Sequence, residues 1–332
     1  MKKILLATAA VALTAGAASA DVTFSGYARA GVSYSKPKNG TATTALTDRF
    51  RLYLKVNKKT DSGLELGVKT RFQSDAGSAN IGTSGGTGNL KTGASQIWIQ
   101  QNGVKVEFDN VDGPIEDMPG LYAPSTGLTG LGYGGMVTNF YDAGGTYHSF
   151  DWMGNYQGYN APGQYGNASG VQVNYTMGAL HAELARGGLA GVGASTSTAA
   201  MISYDFGQFT GALGYQSGSY DGTISKKIVG TVSGKLGPVD LTLGAAQNTP
   251  RTAGGGKGAN VTKYALNAAY TMGAITMNGY ISHQSNKAAT LDSANAYGVG
   301  AKYDLGGAAL QGGIAKDPMG KTVADFGVIF TF

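Results

Sequence analysis

Apolar and polar residues alternate along this chain with a period of two. From Ala28 to Tyr34, residues Ala28, Ala30, Val32 and Tyr34 share one face of an extended backbone, and Arg29, Gly31 and Ser33 share the other. Phe50, Leu52, Leu54 and Val56 then oppose Arg49, Arg51, Tyr53 and Lys55. Leu64, Leu66, Val68, Thr70 and Phe72 alternate with Glu65, Gly67, Lys69, Arg71 and Gln73, and Phe326, Val328, Phe330 and Phe332 alternate with Asp325, Gly327, Ile329 and Thr331. A helix would repeat every 3.6 residues, so these runs predict strands. Counting them gives sixteen, near 21–36, 46–60, 63–76, 93–101, 103–109, 169–177, 179–187, 198–206, 208–218, 225–235, 238–248, 261–271, 274–285, 294–304, 307–315 and 321–332. An even number lets the first and last strands close side by side, and sixteen leave an aqueous bore where eight would be filled.

A soluble sandwich shows the same alternation, so the turns decide between them. Tyr175-Thr-Met-Gly178, Tyr204-Asp-Phe-Gly207, Lys235-Leu-Gly237, Tyr270-Thr-Met-Gly273 and Tyr303-Asp-Leu-Gly306 repeat a short turn, with glycines 29, 30, 36 and 33 residues apart. One strand up, a variable loop and one strand down fit that spacing, and glycine permits the positive φ of the turn. Short turns at one end and long loops at the other characterise outer-membrane barrels. Tyr175, Tyr204, Tyr270 and Tyr303 stand at one offset before the turn, as an interfacial aromatic girdle requires.

Composition agrees. Glycine supplies 55 of 332 residues, and charged residues are 14 % where soluble chains carry about 25 %. The absence of cysteine removes disulfides, thiolate zinc sites and thiol nucleophiles. Met1-Lys2-Lys3, an apolar Ile4–Leu13 run and Ala18-Ser19-Ala20 form a secretory signal, so residues 1–20 are expected to be removed and 21–332 to form the barrel. The charge then falls from +5 to +3 with the loss of Lys2 and Lys3, which gives no reason to expect a nucleic-acid partner. No later stretch is apolar for eighteen residues, so any crossing of a bilayer must use strands.

Asp61-Ser-Gly-Leu-Glu-Leu-Gly67, Tyr297-Gly-Val-Gly-Ala-Lys-Tyr-Asp-Leu-Gly-Gly307 and the ending Val323-Ala-Asp-Phe-Gly-Val-Ile-Phe-Thr-Phe332 resemble the general porins of alphaproteobacteria. The resemblance runs over essentially the whole mature chain, most clearly in its first and last three strands. It implies an all-β fold, a 16-stranded antiparallel transmembrane β-barrel of the outer membrane of a Gram-negative bacterium, with a long third loop folded into the pore. It also implies a homotrimer that contacts outer-membrane lipid and lipopolysaccharide and passes ions and small hydrophilic solutes by passive diffusion. The terminal Phe332 resembles the signal read by the barrel-assembly machinery and joins the expected girdle.

Charge is segregated along the chain. The third long connection, residues 109–168, contains Asp109, Asp112, Glu116, Asp117, Asp142 and Asp151 and no Lys or Arg, a net −6, whereas residues 21–76 carry ten cations and five acids, a net +5. A loop that long is usually functional. In such porins the third loop narrows the pore opposite a wall of arginines. By that resemblance the constriction lies near 109–150, with Asp109, Asp112, Glu116 and Asp117 facing Arg29, Arg49, Arg51, Lys69 and Arg71. Opposed charges across a narrow channel with low-dielectric walls create a strong transverse field, which water and polar solutes follow and apolar solutes resist. No cofactor is expected, although the four closely spaced loop carboxylates leave calcium open.

No enzyme emerges. Ser33-Tyr-Ser-Lys36 and Lys91-Thr-Gly93 mimic penicillin-recognising motifs without the S-D-N element or a helix start. His148, His181 and His283 lack metal-ligand spacing, and Gly254-Gly-Gly-Lys-Gly258 lacks the ending of a phosphate loop. Two rival readings remain. One is a solute-specific channel using Tyr122, Tyr133, Phe140 and Tyr141, and the other is a structural or adhesive barrel plugged by its loop.

Overall fold

A computed structural model describes residues 20–75, 91–122, 126–149, 170–189, 196–219, 222–252, 254–285 and 291–332. The expected signal sequence up to residue 19 and Asp151 lie outside these. Sixteen strands form the barrel. They are β1 (Asp21–Lys36), β2 (Thr43–Lys59), β3 (Glu65–Ser74), β4 (Gln96–Gln101), β5 (Val104–Asp109), β6 (Gly170–Met177), β7 (Leu180–Gly187) and β8 (Ser197–Asp205). The second half comprises β9 (Phe209–Ser217), β10 (Ile224–Leu236), β11 (Val239–Pro250), β12 (Val261–Met272), β13 (Ile275–Gln284), β14 (Asn295–Asp304), β15 (Ala309–Lys316) and β16 (Thr322–Thr331). Each pairs antiparallel with the next, and β1 also pairs with β16, Tyr27 opposite Thr331, so no edge is left unpaired. Closure satisfies every ladder internally, the condition for a sheet to sit in lipid.

The alternation decides which way each residue points. Leu213, Val299 and Ile202 are 65 %, 61 % and 49 % exposed on the outer face, whereas their neighbours Gly214, Gly298 and Ser203 turn inward and are buried. At the short-turn end, Asn102 and Gly103 take positive φ, 50° and 82°, which lets a two-residue connection join β4 to β5.

The described residues between Asn110 and His148 pack against inward-facing side chains of the wall. Val111, Ile115, Met118, Leu121, Met136 and Val137 form one apolar cluster with Ala185, Ala199, Met201, Ala212, Val229, Ala246 and Ala265, which point inward from β7 to β12. On that half of the wall small and apolar inward residues, which receive the loop, thus stand among polar ones such as Glu183, Gln216, Lys227 and Lys263. Full burial of each large apolar side chain stabilises by about 1.5–3 kcal/mol, so this seat is worth several such terms. The long connection also contains a 3-10 turn at Leu131–Gly135 and a small hairpin pairing Phe140–Tyr141 with Tyr147–His148.

Glycines clear a track beneath the loop tip. A Cβ on Gly31 or Gly327, which face each other across the β1–β16 seam, would stand 2.7 or 2.6 Å from the Leu128 side chain. A Cβ on Gly313 would stand 2.8 Å from the Gly127 nitrogen. Part of the glycine excess thus lines the inner wall where backbone meets backbone.

Candidate pore constriction

The basic wall follows from strand register. Arg29, Arg49, Arg51, Lys69 and Arg71 all occupy inward positions of β1, β2 and β3. Arg29 faces Arg49 across β1 and β2, Arg51 faces Gln73 and Tyr53 faces Arg71 across β2 and β3, and Lys55 faces Lys69. Like charges directly opposite repel, and the surroundings relieve that repulsion. Arg29 donates through Nη1 to the Leu128 carbonyl of the loop tip at 2.7 Å. Arg49 is paired through Nε with the Asp75 carboxylate and donates through Nη1 to the Tyr27 hydroxyl at 3.3 Å. Arg51 donates to Gln73 Oε1 at 2.6 Å and lies over the Tyr27 ring, 5.3 Å from its centroid. Arg71 is buried and Lys69 is bridged to Asp112 at 3.6 Å.

Asp75 was not singled out by the sequence, since it lies just past β3 among the cations. Burial opposes its ionisation, but the hydrogen bonds from Arg49 and Gln73 win and hold its carboxyl below the ordinary value. The wall is thus a cationic stripe with the Asp75 carboxylate set into it.

The four expected loop acids separate. Asp109 is the last residue of β5, paired with Gln96 and Gly170, and takes φ 70°; it belongs to the wall, not to the loop. Glu116 accepts a hydrogen bond from Tyr122 within the loop itself. Asp112 and Asp117 join two inward carboxylates that sequence reasoning passed over, Glu107 on β5 and Glu183 on β7. Gln172 ties this group together, donating through Nε2 to Asp117 at 3.0 Å and Glu183 at 3.2 Å while its Oε1 accepts from the Gly113 backbone N–H at 2.9 Å. Asn174 donates to Glu107 at 2.8 Å, Lys105 pairs with Glu107, and His181 contacts Glu183 at 2.6 Å. Crowding by protein atoms and the charge of Asp112 push the Asp117 carboxyl up to about 6. Alternation carried the missing signal, because Glu107 sits between Val106 and Phe108, and Glu183 between Ala182 and Leu184. Among the described residues no three or more acidic or histidine side chains are gathered to hold a metal ion.

Inward polar residues clamp the loop around the bore. Asp325 on β16 accepts from the Leu128 and Thr129 backbone N–H groups at 2.8 and 2.6 Å and from the Thr129 hydroxyl at 2.6 Å. Lys263 on β12 donates to the Gly134 and Asn139 carbonyls at 2.9 and 2.6 Å. Thr231, Asn248, Tyr280 and Gln311 each donate to a loop carbonyl. Described residues of one segment thus touch inward side chains of β6, β10, β16 and β12. The cationic stripe meets the loop where Arg29 reaches the Leu128 carbonyl and Lys69 reaches Asp112.

A family model described as Gram-negative porin matches residues 7–317. The chain belongs to the Gram-negative porin family. A curated porin of Rhodobacter capsulatus is 46 % identical over 72 residues, 21 % of this chain and 23 % of that protein, so the matched stretch spans under a quarter of the relative. Two engineered variants of the Rhodopseudomonas blastica porin superpose with a TM-score of 0.73 at 23 % identity, covering 94 % of this chain and 100 % of theirs. At that identity the superposition speaks for the fold. Porins are outer-membrane channels without an enzymatic step.

Tyr175, Tyr204, Tyr270 and Tyr303 of this porin point outward near the short-turn end. Phe332 is hydrogen-bonded to Gly26 through both backbone groups and lies against Phe50 and Phe330, with ring centroids 6.1 and 6.2 Å apart. Tyr215, Tyr264 and Tyr297, which the sequence reading did not select, form a second outward set toward the loop end.

Proposed function

We propose that this porin is a general diffusion channel whose narrowest part lies between the arginine stripe and the seated loop. The carrying observation is the clamp: Asp325 and Lys263 hold the loop against the wall, and it meets the cationic stripe where Arg29 reaches the Leu128 carbonyl and Lys69 reaches Asp112. In this reading Arg29, Arg49, Arg51, Lys69 and Arg71 form the positive side. Asp112 and Asp117, with Glu107 and Glu183, form the negative side, and Asp109 and Glu116 play lesser parts. Hydrated ions and polar solutes cross down their gradients within that transverse field. The outward tyrosines and Phe332 anchor the barrel at the membrane interfaces, where lipid and lipopolysaccharide are its partners. The assembly is a homotrimer, as the family resemblance implies, and cross-linking in native membranes counts its subunits.

Purified protein in a planar bilayer should give stepwise ohmic conductance, and liposomes should swell with small neutral sugars and stop at a size limit. Folded protein that conducts nothing would sink the reading. The exposed rings of Tyr122 and Tyr133 on the loop favour a second reading, a solute-specific channel. Saturable uptake of one solute would select it.

A further inference from the structure

The outer wall carries a groove that strand pairing explains. Leu213, Gly230, Ala245, Tyr264, His283 and Asn295 are successive cross-strand partners on β9 to β14, all on the outer face. Gly230 and Ala245 put almost no side chain into this rung, while Leu213 and Tyr264 stand up beside them. The result is an apolar cleft of about 640 Å³ across six strands. Its course relative to the barrel ends follows from the strand limits. Asn295 is the first residue of β14 and His283 the last but one of β13, so that end opens at the loop-end rim. Leu213 lies four residues inside β9, so the other end reaches toward the middle of the wall. The rim end is polar, with His283 Nδ1 2.8 Å from Asn295 Oδ1.

A second cavity lies toward the loop end of two of these strands, β10 and β11. Lys226, Thr249, Lys257, Gly258 and Asn260 line about 280 Å³ at the loop end of β10 and β11. The hairpin pairing of Arg251 with Lys257 brings a third cation beside it. Among the described residues none of these three cations has an ion-pair partner. From Lys226 to Gly230 is four residues of strand, about 13 Å, a separation that a glycerol backbone, its ester and a lysine side chain together bridge.

Resting on the outer-membrane reading above, we infer that these two cavities form one binding site for a phosphate-bearing lipid. The phosphate sits between Lys226 and Lys257, and one acyl chain lies in the cleft over Gly230 and Ala245. The cations are complementary to an anionic headgroup, and the cleft begins where a chain would leave that headgroup. A second copy of the barrel would instead have to place side chains in the cleft and acids against the lysines.

The test uses the detergent-solubilised protein as it is isolated, with chain-spin-labelled phosphatidic acid and phosphatidylcholine of the same chain length. The wild type should hold about one immobilised phosphatidic acid per barrel, with roughly 30-fold preference over phosphatidylcholine, since each lysine near a lipid surface contributes about a factor of five. Replacing both lysines (K226Q with K257Q) should abolish the preference and leave weak binding of both lipids. Ala245→Leu, which fills the cleft from the lipid side, should release both. Equal retention of the two lipids by the wild type, or retention unchanged by Ala245→Leu, overturns the site. So does inorganic phosphate binding as tightly as the lipid, or Ala245→Leu altering subunit number instead of lipid content. Channel conductance measured on the same preparations separates the two readings. A conducting protein without lipid preference refutes this inference alone, and a silent one refutes the channel.

Discussion

Asp325 is the residue whose removal most directly tests the clamp. It is buried on β16 and accepts three hydrogen bonds from Leu128 and Thr129, 2.6 to 2.8 Å long. Hydrogen bonds to a charged group are each worth about 1.5–3 kcal/mol, and they do not add fully. Taking about 3 kcal/mol as a lower figure for Asp325→Ala, the ratio of released to seated loop tip rises roughly 150-fold at 1.36 kcal/mol per decade. A tip released ~0.1 % of the time would then be released ~15 % of the time, enough to be seen in single-channel records. The apolar seat of Ile115, Met118 and Val137 is untouched, so the tip should lift while the base stays bound. The traces should show added current excursions, Arg29 should lose its partner at Leu128, and larger sugars should enter in liposome swelling. Asp325→Asn, which keeps one acceptor oxygen, should fall between. A folded Asp325→Ala barrel whose noise, conductance and sugar limit match the wild type would refute the reasoning.

Gly313→Leu should act in the same direction by collision, because even a Cβ there would stand 2.8 Å from the Gly127 nitrogen; an unchanged sugar limit would count against the glycine track. Arg49→Gln with Arg51→Gln should move the reversal potential in a salt gradient toward cations, whereas Asp75→Asn, which frees the charge of Arg49, should move it toward anions. The Asp117 carboxyl, raised to about 6, is neutral at pH 5 where an ordinary aspartate is charged. Cation preference should therefore grow as pH rises through 6, and Asp117→Asn should remove that step. The sign for folding is opposite: a raised carboxyl contributes stability that is present below the unfolded value and lost as pH rises through about 6. Thermal midpoints of wild type and Asp117→Asn should accordingly converge below pH 4.

The barrel could be read without coordinates because strand periodicity is local. Each residue's face depends only on its parity, so Arg49, Arg51 and Arg71 could be placed in the bore and Tyr175 and Tyr204 on its outside before any pairing was known. All sixteen strands begin and end within a few residues of the expected limits, since the Tyr-x-x-Gly turns and the change of period mark their ends. The interior of the barrel was another matter. Whether Asp75 neutralises Arg49 and whether Glu107 and Glu183 stand beside Asp117 depend on which residues meet across many positions in sequence. The same holds for Gly31 and Gly327, two small residues in distant strands until the closing seam and Leu128 bring them together. Parity gives each side chain a direction at no cost in chain length. Partners within the bore are fixed only when the sheet closes and the loop is pressed against it, and that is a property of the tertiary structure.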